Sequence, residues 1–129
     1  MAVEAAELAA AVRAAGAIAA KLTIYRIPVS LKTLLAVSGD ALESFPDVSI
    51  DEIDDPATIA AAIEAVVQSQ PEPSDDPLDA RFGLVFANRD GERVLSVYKG
   101  RFALSGQIDD VPCDFEEFTL HEWLTTRYA

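Results

Sequence analysis

Apolar positions recur with two different periods along this chain, and the switch between them marks its elements. Leu8, Val12, Ile18 and Leu22 form a loosely kept helical stripe among alanines, which predicts a first helix over Val3–Ala20. Alanine is the best helix former, and Glu4 and Glu7 at the start with Lys21 at the end suit the helix dipole. So small-lined a stripe lets another backbone approach closely, either the protein's own sheet or a second molecule. Leu22–Ile27 then reads as a strand rich in β-branched and aromatic residues, stopped by Pro28. Residues 31–37 leave helix and strand both open. Ser38-Gly39-Asp40 opens a short helix over Ala41–Ser44, and Val48–Ile53 alternates apolar and acidic residues as a short edge strand does.

Asp55-Pro56 is a clear helix start, with Asp55 as cap and Pro56 at the first helical position, where its missing N–H costs nothing. Ile59, Ile63, Val66 and Val67 follow on one face, and the helix should end near Ser69 or Gln70. Pro71, Pro73 and Pro77 among serine and acids predict a solvated connector over Gln70–Asp79. A meander comes next. Phe82, Leu84 and Phe86 share one face of a strand, Asn88-Arg89-Asp90-Gly91 turns, and Arg93–Tyr98 returns. Lys99-Gly100 turns again, after which Phe102, Leu104, Gly106 and Ile108 alternate with Arg101, Ala103, Ser105 and Gln107. Thr119-Leu120-His121-Glu122 fits a capping box, Phe118 and Trp123 a hydrophobic staple, and Leu120, Trp123, Leu124 and Tyr128 a buried helical stripe.

These elements predict an α+β fold: an antiparallel sheet of three to five strands, including the C-terminal meander, with helices packed on one face. The 129 residues suit one domain, because neither side of the connector around residues 70–80 is long enough to hold a core alone.

Charge changes the picture more than composition does. Twenty-two acids against ten bases leave a net charge of −12, and the acids gather in Asp47–Asp55, Glu72–Asp79 and Asp109–Glu117. Such a surface repels nucleic-acid phosphates and anionic membranes and attracts basic proteins. No stretch has the roughly 18–20 apolar residues that span a bilayer. Glu4, Glu7 and Arg13 read against a removable leader and for a helix. The single Cys113 excludes an internal disulfide, which fits the cytoplasm and also a small periplasmic protein.

Candidate chemistry is sparse. His121, the only histidine, falls in the first turn of a helix and is expected to be exposed and structural. Cys113 lies among Asp109, Asp110, Asp114 and Glu116, whose charge raises a thiol's pKa, the wrong direction for a nucleophile. The acid clusters lack the spacing of a calcium loop, so they read as solvated faces, and no catalytic residue, metal or cofactor is assigned. What remains is recognition. The expected function is a non-catalytic acidic binding protein of the immunity or inhibitor type that neutralises a basic protein. Its partner-binding residues would be Asp47, Asp51, Glu52, Asp54, Asp109, Asp110 and Asp114, with Tyr98 as an exposed apolar anchor. The alternatives are a dimeric acidic secretion-type chaperone, and a carboxylate-based divalent-cation module or small enzyme. The chain is read as a monomer or homodimer that binds neither nucleic acid nor membrane.

Overall fold

A computed structural model describes residues 4–28, 30–33, 35–101 and 104–128. Seven strands among them form one antiparallel sheet: β1 (Lys21–Arg26), β2 (Ser49–Ile53), β3 (Pro71–Pro73), β4 (Ala80–Ala87), β5 (Arg93–Gly100), β6 (Ser105–Ile108) and β7 (Val111–Phe115). Their order across the sheet is β2-β1-β4-β5-β6-β7-β3. Four helices accompany them: α1 (Ala5–Ile18), α2 (Gly39–Glu43), α3 (Pro56–Gln68) and α4 (Thr119–Arg127).

The period-2 pattern decides what each strand buries. Leu22 and Ile24 of β1 pair with Phe86 and Leu84 of β4, which pair in turn with Leu95 and Val97 of β5. This row meets Leu8, Val12 and Ala15 of α1, Ile59, Ile63 and Val66 of α3, and Leu120 and Leu124 of α4 in the main core. The opposite faces of the strands bury a smaller cluster of Ile27, Val37, Leu42, Ala80 and Tyr98, against which Tyr25, Leu31, Phe45, Val48 and Leu78 pack. Leu42 belongs to α2, so the helices do not all lie on one face as expected: α2 and the segment around it cover the back of the sheet. The result is a central strand β4 that is buried on both sides.

That second face is held by charge as well as packing. Arg81 is fully buried and donates to Asp79 Oδ1 at 2.7 Å, to the Ala80 carbonyl at 2.9 Å and to the Leu31 carbonyl at 2.8 Å. Asp79 Oδ1 also accepts the Val37 N–H at 2.9 Å. Burial works against the ionised form of Asp79, yet the Val37 N–H and the Arg81 guanidinium outweigh it and hold the carboxyl below its usual range. The pair thus ties the segment before α2 to the start of β4.

Several expectations are met locally. Asp55 caps α3, its carboxylate accepting the Thr58 N–H at 3.1 Å and the Thr58 hydroxyl at 2.6 Å, with Pro56 in the first turn. Ser38 caps α2. β2 lies at the sheet edge, and Gly91 takes φ +81° in the turn between β4 and β5. Other expectations are corrected. The sheet has seven strands rather than three to five. The connector contains β3, which pairs with β7 through Pro71↔Phe115 and Pro73↔Cys113. The acidic stretch Asp109–Glu117 contains β7 itself, whose Val111, Cys113 and Phe115 turn towards the helices. Lys99 and Gly100 continue β5 instead of turning. The first helix stops at Ile18, which is exposed, and Leu22 belongs to β1. Val3, Leu34, Phe102 and Ala103, also assigned to patterns above, lie outside the described residues.

The capping box does not form. Thr119 is already helical, the cap position falls on Phe118, and no side chain of the cap residue is bonded there. The Leu120 N–H donates instead to the hydroxyl of Ser69, which follows α3 directly, at 2.8 Å. Phe118 remains 49 % exposed, so it makes no staple with Trp123.

Candidate functional site

The eight residues expected to bind a partner do not form one patch. β2 is the first strand of the sheet and β7 the sixth, with β1, β4, β5 and β6 between them. Asp47, Asp51, Glu52 and Asp54 therefore sit at or beside one edge, and Asp109, Asp110 and Asp114 lie in and around β6 and β7. Some of these carboxylates already have partners within the protein. Asp51 accepts the Tyr128 hydroxyl at 2.8 Å and lies 3.4 Å from Arg127, and Glu52 pairs with Lys21 at 3.2 Å. Asp109 takes a positive φ and accepts the Ser96 N–H at 2.9 Å, which fastens the β6–β7 turn to β5.

Tyr98 is not an exposed anchor. It is 3 % accessible, and its ring lies against Gly39 and Gly83, where a Cβ at Gly39 would come within 2.6 Å of ring atoms. Its hydroxyl donates to Glu43 at 2.5 Å, and Glu43 is gripped from the other side by Arg93 at 2.5 and 3.2 Å. Burial, reinforced by the Glu43 carboxylate, pushes the phenol up to about 12. The strand end expected to present Tyr98 is covered by α2, because two glycines let the helix and β4 close onto the ring.

Of the eight, Tyr98, Asp109 and Asp110 line one depression of about 370 Å³ together with Asp40 and Arg93, and Asp114 faces a larger one. This depression, about 660 Å³, is lined by Asp76, Pro77, Leu104, Ser105, Asp114, Phe115, Glu116 and Phe118. Local bonds assemble it. The Phe115 N–H donates to the Leu104 carbonyl at 2.7 Å, drawing the residue before β6 onto β7. The Ser74 N–H bonds the Pro112 carbonyl at 2.9 Å and the Asp76 N–H bonds the Ser74 hydroxyl at 3.3 Å, so the chain after β3 brings Asp76 to Asp114. The floor and wall are apolar, with Leu104 39 % and Phe118 49 % exposed. The rim is acidic. Partial burial, then a hydrogen bond and repulsion from Asp76 and repulsion from Glu116, raise the Asp114 pKa above its ordinary value, although Ser74 opposes this.

Two basic side chains stand near this end of the sheet. Lys99 is 1 % accessible, donates to the Gly100 carbonyl at 3.3 Å, and lies 5.8 Å from the centre of the Phe82 ring. Burial lowers its pKa to about 8. His121 meets Phe118 edge to face at 6.3 Å, and its Nδ1 is enclosed without a partner. Burial and the charge of Lys99 lower its pKa, against a smaller pull from Glu122. His121 is thus half-buried rather than exposed. Cys113 is buried, and burial with the charge of Asp114 pushes its thiol up to about 12, as the acids around it in sequence suggested.

Sequence reasoning passed over Asp76, Leu104 and Phe118 as site residues, while Glu116 falls within the acidic stretch Asp109–Glu117 that it singled out. A signal for Phe118 was present: a large apolar residue among acids, directly before a helix. Nothing in sequence spacing joins Asp76 to Asp114, since they meet only through β3–β7 pairing. Among the described residues no group of His, Cys, Asp and Glu is arranged to hold a metal ion, and no helix is long and apolar enough to cross a membrane.

The fold and cleft define an α+β protein with one seven-stranded antiparallel sheet and an acid-rimmed apolar depression at its β6–β7 end. Comparison with protein-family models, curated proteins and solved structures returns no match.

Proposed function

We propose that this protein is a non-catalytic binding module that docks a basic segment of another protein, in the manner of an immunity protein or inhibitor. The docking face is the cleft formed by Asp76, Leu104, Asp114, Glu116 and Phe118. The observation that carries this reading is the crowding of carboxylates beside exposed apolar side chains. Asp114 resists ionisation next to Asp76 and Glu116, and Phe118 and Leu104 lie open within the same depression. An arginine or lysine would relieve the repulsion, while an adjoining apolar side chain of the partner would cover Phe118. Interfaces use this division of labour, with an apolar centre that supplies affinity and charges that select the partner and speed encounter. The net charge of −12 supplies the long-range attraction.

Selection from an unbiased random peptide library tests the reading. The wild-type protein should enrich peptides that place Arg or Lys within a few residues of Phe, Leu or Trp. Those peptides should lose binding to a D76N/D114N/E116Q variant. Selected peptides without basic residues, or equal binding to the variant, would remove the cleft as the docking face.

A further inference from the structure

We propose that a second cleft, beside Arg26, binds a carboxylate carried on an apolar stem. Arg26 is the last residue of β1, and its guanidinium carbon lies 4.3 Å from the centre of the Tyr128 ring. The guanidinium makes no hydrogen bond or ion pair with a described residue, and its Nε is enclosed without a partner. This sets Arg26 apart from Arg13, Arg81, Arg93 and Arg127, each of which pairs with a carboxylate. With acids so abundant in this chain, a half-buried arginine that faces none of them is positioned for an anion from outside.

The surroundings match one chemistry. The cleft, about 510 Å³, is lined by Ile27, Pro28 and Phe82 together with Ser30, Ser49 and Thr125, and no carboxylate of a described residue lines it. The nearby Asp51 is engaged by the Tyr128 hydroxyl and Arg127. A guanidinium offers a planar fork that matches a carboxylate with two parallel hydrogen bonds. Tyr128 backs that fork with its ring face, the Ser30 and Ser49 hydroxyls can donate to the remaining lone pairs while the Thr125 hydroxyl stays on the His121 carbonyl at 2.9 Å, and an apolar stem would lie along Phe82 and Pro28. Such a carboxylate belongs either to a small free acid or to the end of a peptide chain. The site uses other residues and the opposite charge from the acid-rimmed cleft, so either can fail without the other.

The test is an NMR titration of the full chain, following the Arg26 Nε–H and the backbone amides around Ser49, Phe82 and Tyr128. The probes are hexanoate, 1-hexanol, and acetyl-Ala-Leu with a free or an amidated terminus. A carboxylate probe should bind at millimolar concentration while its neutral counterpart does not. Arg26→Gln should weaken it about tenfold or more, as expected when a charge-assisted hydrogen bond is lost. Tighter binding of the free-terminus peptide would assign the site to chain ends, and tighter binding of hexanoate would assign it to small acids. Ser30→Ala and Ser49→Ala should each weaken binding a few-fold and serve as the test if Arg26→Gln fails to fold. Equal shifts from hexanol and hexanoate, affinity unchanged in folded variants, or no shift up to about 10 mM probe would overturn the proposal.

Discussion

The Ser69 hydroxyl oxygen accepts the Leu120 N–H at 2.8 Å while the hydroxyl itself donates to the Ala65 carbonyl at 2.8 Å, so one buried side chain closes the end of α3 and opens α4. The Ser69 carbonyl adds a bond from the Glu117 N–H at 3.0 Å. Ser69→Ala should therefore destabilise the protein by about 1–2 kcal/mol, the cost of a lost cap and an unsatisfied buried N–H. Thr119→Ala, at the position a capping box would use, should stay within about 0.5 kcal/mol of wild type. Urea denaturation of the two variants checks the contrast.

Lys99 is buried with a carbonyl as its hydrogen-bond acceptor and no carboxylate bonded to it. Its pKa falls from 10.5 in the unfolded chain to about 8 in the folded one. Below pH 8 both states hold the proton and the folded state bears the full burial cost; between 8 and 10.5 the folded state has lost a proton that the unfolded chain keeps, so this cost declines as pH rises. Lys99→Met should raise stability near neutral pH by on the order of 2 kcal/mol, and the gain should vanish towards pH 10.5. Thermal unfolding of both proteins across that window measures it.

Gly39 is required by the closeness of Tyr98, since a Cβ there would stand 2.6 Å from the ring. Gly39→Ala should cost about 2 kcal/mol through overpacking. In Tyr98→Leu the same change should cost less, because the ring that blocks the methyl group is gone. A double-mutant cycle by chemical denaturation gives the coupling.

Asp114 titrates above its ordinary value of 3.8, so just above that pH the folded state holds a proton the unfolded chain has released. Stability then falls as pH rises through the window. Asp114→Asn should raise the melting temperature near pH 7 and leave it unchanged near pH 3. A scanning calorimetry series across those pH values reads the difference directly.

What was legible in the sequence was local. Phe82, Leu84 and Phe86 announced a strand by alternation, and Asp55-Pro56 announced a helix by the chemistry of its first turn. β7 was obscured because its alternating Val111, Cys113 and Phe115 stand among acids that suggest a loop. β3 was obscured by its two prolines, which a strand at a sheet edge tolerates. The burial of Tyr98 depends on α2 folding over it from the other side of the chain, and the cap on Leu120 comes from Ser69. The candidate cleft had the same fate. Asp114 was chosen for its charge, but Asp76 reaches it only through strand pairing, and Phe118 became informative only once the staple proved absent.

The central claim is that carboxylates in the β6–β7 cleft recognise a basic, partly apolar segment. The most direct measurement is the association rate of a library-selected peptide by stopped flow, from about 20 to about 500 mM NaCl, with wild type and D76N/D114N/E116Q. The account predicts a wild-type rate that falls by about tenfold or more across this range, and a variant rate that starts lower and depends less on salt. A wild-type rate that stays flat, or a variant that binds as fast as wild type at low salt, would contradict it.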